Sequence, residues 1–208
     1  MNRVHALICS SGWWKGSVER KLLPWALRGL DLGDDILEIG PGFGATTEVL
    51  ARRSGRLSVV ELEQSYCERL RRELGERVTV VQADATTMPF EDARFSSVVC
   101  FTMLHHLPSP AMQDRLLGEV SRVLRPGGLF AGTDSLGTGP LFKLIHIGDT
   151  LVPVGPDGMA RRIESAGLRG AQVDRGGRSF RFRAHKPLAP GLVPTAPPAS
   201  ATGAPDLL

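Results

Sequence analysis

Residues 36–44 read ILEIGPGFG: a short apolar run with an acid inside it, then glycines at positions 40, 42 and 44. A branched apolar run that breaks on glycine reads as a buried parallel strand entering a tight turn. The spacing predicts a strand over Asp35 to Ile39 and a helix from near Thr46. Gly40, Gly42 and Gly44 allow the sharp turn and let a ligand approach the backbone without meeting a Cβ. Such a strand, turn and helix at the head of an α/β pattern is a nucleotide-type site.

Two residues bear on which nucleotide. A phosphate cradle aims free backbone N–H groups and a helix N-terminus at the anion, and Pro41 has no N–H to offer. Glu38, two residues before the first glycine, adds a negative charge that repels a pyrophosphate and suits a cation. The alternative for Glu38 is an acid merely exposed at a strand end. S-adenosylmethionine carries an ammonium and a sulfonium and no phosphate, so it fits this turn better than a nicotinamide dinucleotide. The stretch GPGFGA nevertheless satisfies the GxGxxG/A pattern of dinucleotide sites.

Further acids fall in register. RLSVVE, 56–61, reads as a second strand, and Glu61 closes it 21 residues after Gly40, where an acid can take both ribose hydroxyls. Glu63 is the rival, read as the first solvated acid of the next helix. A third strand over Val78 to Gln82 leads to Ala83, Asp84 and Ala85. Asp84 leaves the sheet on the same side and can accept a hydrogen bond from an adenine amino group, with an Asx turn or helix cap as the alternative. A fourth strand spans Ser97 to Phe101.

Residues 36 to 133 resemble a class I S-adenosylmethionine-dependent methyltransferase of the small-molecule type, and residues 170 to 186 resemble its terminal hairpin. The resemblance implies an α/β, Rossmann-like fold: seven strands, mostly parallel with an antiparallel last strand, and helices on both faces. It implies that LEIGPGFG, with Glu38, Gly40, Pro41, Gly42 and Gly44, holds the methionine end. Glu61, with Leu62 beside it, would take the ribose, and Asp84 and Ala85 the adenine. VVCFTMLHHLP, 98–108, resembles the fourth strand and the loop along the methionine moiety, so Phe101 and Thr102 would touch the cofactor. LRPGGLFAGTDS, 124–135, resembles the turn and fifth strand. One departure is Ser96 and Ser97 at the start of the fourth strand, where the family commonly has an acid or other polar group.

Composition fits one catalytic domain. The chain has 208 residues, 42% of them hydrophobic, enough for a single good core. The expected division is an N-terminal helical cap over 1–35, a cofactor-binding domain over 36–186 and a disordered tail over 187–208. That tail holds six prolines and one charged residue, Asp206. No apolar run suggests a membrane span and no signal-peptide pattern is present, so a cytoplasmic enzyme is expected. Cys9, Cys67 and Cys100 are odd in number and lack CxxC spacing, which argues against a disulfide framework or a zinc site. His5 and Cys9 stand four residues apart, but a metal needs three or four ligands, and no metal is expected.

The acceptor side is drawn from less regular segments. Val18 to Leu30 is amphipathic and interrupted by Pro24, which is expected to start a new turn. In the family such a segment packs over the cleft. Trp13 and Trp14 are therefore candidates to line an acceptor pocket, or else anchors to the core. The linker after the fifth strand, containing LFKLIHIGDTLVPVG, is expected to cover the acceptor, with His146 and Asp149 as candidate contacts or as caps of a short helix. Pro156 to Ala166 reads as a helix, and Gly170 to Arg175 and Ser179 to His185 as strands. On the last strand Arg181 and Arg183 share one face and need carboxylate partners or must snorkel.

Methyl transfer from a sulfonium proceeds by in-line attack, so holding the reactants at near-attack distance supplies most of the catalysis. A histidine near neutrality can take a proton from an acidic acceptor. His105 and His106, directly after the fourth strand, are the candidates, and their alternative is a structural bond to a backbone carbonyl. The expected acceptor is a small molecule, with S-adenosylhomocysteine as product. Net charge +3 and a pI near 9.0 raise the question of nucleic acid. However, Arg52, Arg53, Arg56, Arg71, Arg72 and Arg77 map chiefly to the amino ends of strands, away from the methyl group, and no RNA-binding module or asparagine-proline-proline-tyrosine motif is present. A cofactor-binding protein without transfer chemistry is the remaining alternative.

Overall fold

A computed structural model describes residues 2–137, 139, 142, 144 and 146–189, apart from the side chains of residues 3–5. Most of the expected tail lies outside the described residues, as does the side chain of His5. The chain builds one seven-stranded sheet from β1 (Asp35–Ile39), β2 (Arg56–Glu61), β3 (Thr79–Gln82), β4 (Phe95–Phe101), β5 (Leu124–Ser135), β6 (Arg169–Gly176) and β7 (Ser179–His185). Their order is β3-β2-β1-β4-β5-β7-β6. The first five pair parallel, and β7 is inserted antiparallel between β5 and β6.

The order reverses at β1, which is flanked by β2 and β4 and buried along its whole length. Strands covered on both faces read as largely apolar runs, which is why DILEI, RLSVVE and SVVCF (97–101) were legible as strands; β4 begins two residues earlier, at Phe95. The crevice beyond the carboxyl ends of β1 and β4 is the topological switch point, where such sheets bind ligands.

Two cores cover the sheet. On one face α6 (Pro110–Val123) and α7 (Pro156–Ser165) bring Leu116, Leu117, Val120, Met159 and Ile163 against Leu37, Val98, Phe130 and Phe182. On the other, α4 (Ala45–Ala51) and α5 (Gln64–Leu74) pack Val49, Leu50 and Leu70 on Ile36, Val59 and Val99. The N-terminal segment joins this second core through Val18, Leu23 and Ala26.

That segment is broken rather than one amphipathic helix. It runs as α1 (Arg3–Ser10), α2 (Gly12–Ser17), a π-helical turn Val18–Leu22 and α3 (Leu23–Ala26). Pro24 lies in the first turn of α3, as expected of a residue without an N–H. Ion pairs Lys15–Glu48 and Arg52–Glu19 fasten the segment to α4. Arg181 finds Asp174 and the Trp25 carbonyl, and Arg183 finds Gln172. Ser96 and Ser97 are structural: both hydroxyls donate to the Leu32 carbonyl, and Ser96 Oγ accepts the Asp35 N–H. No helix among the described residues is long and apolar enough to cross a membrane.

Candidate active site

All three loop glycines take positive φ, +62° at Gly40, +53° at Gly42 and +78° at Gly44, yet they do different work. A Cβ on Gly40 would lie 2.4 Å from Met103 Cγ, and one on Gly44 would lie 2.6 Å from Leu70 Cδ2. Those two glycines permit close packing of the chain on itself. A Cβ on Gly42 would meet nothing within 4 Å. Gly42 is thus the position where backbone faces space that a ligand can enter.

The N–H donors of the loop glycines are already engaged, those of Gly40 and Gly44 by the Val60 and Pro41 carbonyls and that of Gly42 by an acid. Gly42 N–H donates to Glu61 Oε2 at 3.0 Å, while Glu61 Oε1 accepts from the N–H groups of Leu62 and Glu63 at 2.8 and 3.1 Å. Glu61 is buried, and Glu63 is exposed at the N-cap of α5. A phosphate would have to displace a carboxylate, whereas a ribose hydroxyl can donate to one. Leu62, beside Glu61, is 62% exposed, which offers an apolar surface for a ring.

Glu38 is 1% exposed. Thr46 Oγ1 donates to its Oε1, and Oε2 is buried without a hydrogen-bond partner among the described residues. Burial pushes the carboxyl up to about 7; the Glu61 charge adds to the rise, and the Thr46 and Thr47 hydroxyls oppose it. An orphaned buried carboxylate oxygen and a second acid close enough to act on it make the loop electronegative. This donor set fits an ammonium or sulfonium and opposes a pyrophosphate.

Asp84 realises the Asx turn weighed from sequence: Oδ1 accepts the Thr86 N–H and hydroxyl, both at 2.8 Å. Its Oδ2 has no donor among the described residues, and Ala83 and Ala85 pack against the core beside it. Phe101 is buried within the second core, so its side chain serves packing. Thr102 holds φ +51°, a left-handed backbone that a β-branched residue adopts only under constraint. Its N–H is held by Thr133 O at 2.8 Å.

The acceptor side holds an assembly that sequence spacing did not join. His105 is 3% exposed. Its Nδ1 lies 2.5 Å from Asp134 Oδ1, and its backbone N–H donates to Asp134 Oδ2 at 3.2 Å. The His105 ring stands 4.2 Å from the His106 ring and 5.3 Å from that of His146, centroid to centroid. His146 bonds Phe142 O through Nδ1 and stacks on the Phe142 ring. Asp134, fully buried at the end of β5, was missed from sequence. The signal was present, since TDS closes its strand with an acid as RLSVVE does.

The segment after β5 is tied to the turn after β4 by Val152 N–H to His105 O at 2.8 Å and by Gln113 Nε2, which donates to Leu104 O and Val152 O. Asn2 Nδ2 reaches Ile147 O at 2.8 Å, so the N-terminal segment and this linker meet. Asp149 is near enough to raise the Cys9 thiol, pushed up to about 11 chiefly by burial. Tyr66 is raised by burial and by the charges of Glu61, Glu63, Cys9 and Asp149, which sets the linker and α1 on the Glu61 side of the sheet. Trp14 packs against the second core, while Trp13 is 74% exposed.

Residues 37–132 match the model of the family described as Methyltransferase domain. The ribosomal RNA small subunit methyltransferase A of Cupriavidus taiwanensis is 48% identical over 59 residues, 28% of this chain and 21% of that protein. The demethylmenaquinone methyltransferase of Clavibacter sepedonicus is 32% identical over 117 residues, 55% of this chain and 44% of that protein. The chain thus spans less than half the length of either relative. A solved S-adenosylmethionine-dependent methyltransferase of Methanosarcina mazei shares the fold at TM-score 0.62 and 17% identity, over 77% of this chain and 95% of that one. Residues 37–132 thus match a methyltransferase domain, and the sheet around them shares its fold with a solved S-adenosylmethionine-dependent methyltransferase.

Proposed function

We propose that the protein transfers a methyl group from S-adenosylmethionine to a small-molecule acceptor, releasing S-adenosylhomocysteine. The observation that carries this is the pair of buried acids, Glu38 and Glu61, set around the open backbone at Gly42. When bound, the cofactor supplies an electrophilic methyl group on a sulfonium. Glu38 offers its orphaned oxygen toward the positive end, Glu61 holds the ribose while bracing the loop, and Asp84 Oδ2 takes the adenine amino group. Thr102 lies along the methionine portion.

His105, anchored by Asp134, activates the acceptor under the linker that carries His146 and Asp149. The fastening of that linker to the turn after β4 supports an enclosed, small acceptor. Free Cys9, Cys67 and Cys100 support action in the reducing cytoplasm. RNA is the second reading, favoured by the rRNA-modifying relative. Against it, Arg52 and Arg56 are spent on Glu19 and on Asp34 with Asp35, and Arg71 on a backbone carbonyl.

Calorimetric titration with S-adenosylmethionine, S-adenosylhomocysteine and NADH tests the cofactor, repeated with Glu61→Ala and Asp84→Ala. Micromolar binding of the first two that both substitutions weaken is the expected result. Binding of NADH alone overturns the proposal. Methyl incorporation into ribosomal RNA but into no small-molecule pool would replace the acceptor class.

A further inference from the structure

We infer that His105, His106 and His146 form a binding site for one divalent transition-metal ion of the zinc type. One ring nitrogen from each of the three lies within 4.8 Å of the other two. In all three rings Nδ1 faces an oxygen: Asp134 Oδ1 at 2.5 Å for His105, Thr150 O at 3.3 Å for His106 and Phe142 O at 2.8 Å for His146. A histidine that ligates a metal through Nε2 donates its Nδ1–H to a carboxylate or carbonyl in just this way, which fixes the tautomer and raises the basicity of the ligating nitrogen. Among the described residues, the buried His105 Nε2 has no hydrogen-bond partner. Leaving that lone pair in a dry site is costly, and a cation there removes the cost.

Charge points the same way. Asp134 is wholly buried and accepts from His105 N–H, His105 Nδ1 and Ser135 N–H. A metal ion behind His105 would place positive charge beside this buried carboxyl group. Three imidazoles with no carboxylate in direct contact select zinc, cobalt or nickel over magnesium or calcium. Tetrahedral zinc at about 2.0–2.1 Å from nitrogen sets its ligands about 3.3 Å apart, so the rings close by roughly 1.5 Å or less on binding. The turn Leu104–His106 fixes two ligands, and the linker brings the third, pinned through Val152 to the His105 carbonyl.

Three protein ligands leave a fourth position open. It suits an acceptor hydroxyl or thiol, and this role rests on the methyl-transfer reading above. The acceptor's proton leaves to solvent as its oxygen or sulfur binds. The bound anion then attacks the methyl carbon, and the carbon–sulfur bonding pair departs with S-adenosylhomocysteine.

The test uses the full chain stripped with a chelator and titrated with Zn²⁺ against a chromophoric competitor, and with Co²⁺ followed by its visible absorption. One equivalent is expected to bind, with the intense bands of tetrahedral cobalt. His146→Ala should weaken binding at least tenfold and Asp134→Asn about 10–100-fold, while the stripped protein keeps its affinity for S-adenosylmethionine. His106→Gln, whose partly exposed side chain tolerates change, gives a second ligand variant if His146→Ala proves unstable. Absence of stoichiometric binding, or binding that the ligand variants leave unchanged, overturns the site. Cofactor binding without metal binding sinks this inference alone, and metal binding without cofactor binding sinks the methyl-transfer reading instead.

Discussion

Glu38→Gln replaces a buried carboxyl by a neutral group of the same shape, and its effect must depend on pH. The carboxyl stands near 7 in the folded protein against an ordinary 4.5, because burial penalises its charge. The fold therefore prefers the protonated form. Its contribution to stability is complete below pH 4.5 and is lost as pH rises through 7. A difference of about 2.5 units at about 1.4 kcal/mol each amounts to about 3 kcal/mol. Glutamine resembles the protonated acid at every pH and keeps an oxygen for the Thr46 hydroxyl. Glu38→Gln should match the parent protein near pH 4 and exceed it by about 3 kcal/mol at pH 8 in urea unfolding. A cationic cofactor restores the charged form, so binding to the parent protein near pH 7 should release about half a proton. Calorimetry in buffers of different ionisation enthalpy reads that release, and Glu38→Gln should abolish it while weakening binding at least tenfold. Parallel stability profiles for the two proteins, or proton uptake on binding, would refute the assignment of a buried, strained charge to Glu38.

Other substitutions separate binding from folding. Gly42→Ala meets no atom but must hold φ +53°, at a cost of roughly 1–2 kcal/mol, so it should impair cofactor affinity more than melting temperature. Gly40→Ala strikes Met103 at 2.4 Å and should show the reverse balance by calorimetry and thermal unfolding. Arg122 donates to Met88 O, Phe90 O, Asp92 and Glu119; Arg122→Ala should cost about 2–4 kcal/mol in urea unfolding, and an unchanged midpoint would mean that those carbonyls are satisfied by water. His105→Ala should lower turnover far more than affinity for S-adenosylmethionine, and equal losses in both would remove it from acceptor activation.

The central strands were legible because they are buried on both faces and rich in branched residues, as DILEI and RLSVVE are, whereas β3 and β6 are more exposed. The loop's two acids were legible because the geometry of a βαβ unit sets the interval between Gly40 and Glu61. What escaped was everything made by long-range packing. Nothing in the sequence near His105 names Asp134 as its partner 29 residues away, or His146 as its neighbour across a linker with no helical or strand period. The three glycines also look equivalent in sequence, and only the packing of Met103 and Leu70 sets Gly40 and Gly44 apart from Gly42. Asp84 lay between the two cases, since one of its oxygens serves the turn and the other has no partner among the described residues.

The linker after β5 meets the turn after β4 through Val152 and Thr150 and meets α6 through Gln113, and its described residues add no strand to the sheet. Exchange of this one cassette between relatives would therefore alter which acceptor is admitted while leaving strand pairing and the glycine loop intact. The third histidine travels with it. Acceptor choice and the means of activating that acceptor would then be inherited as a unit, so that a lineage gaining a new linker would change its chemistry and its substrate in a single event.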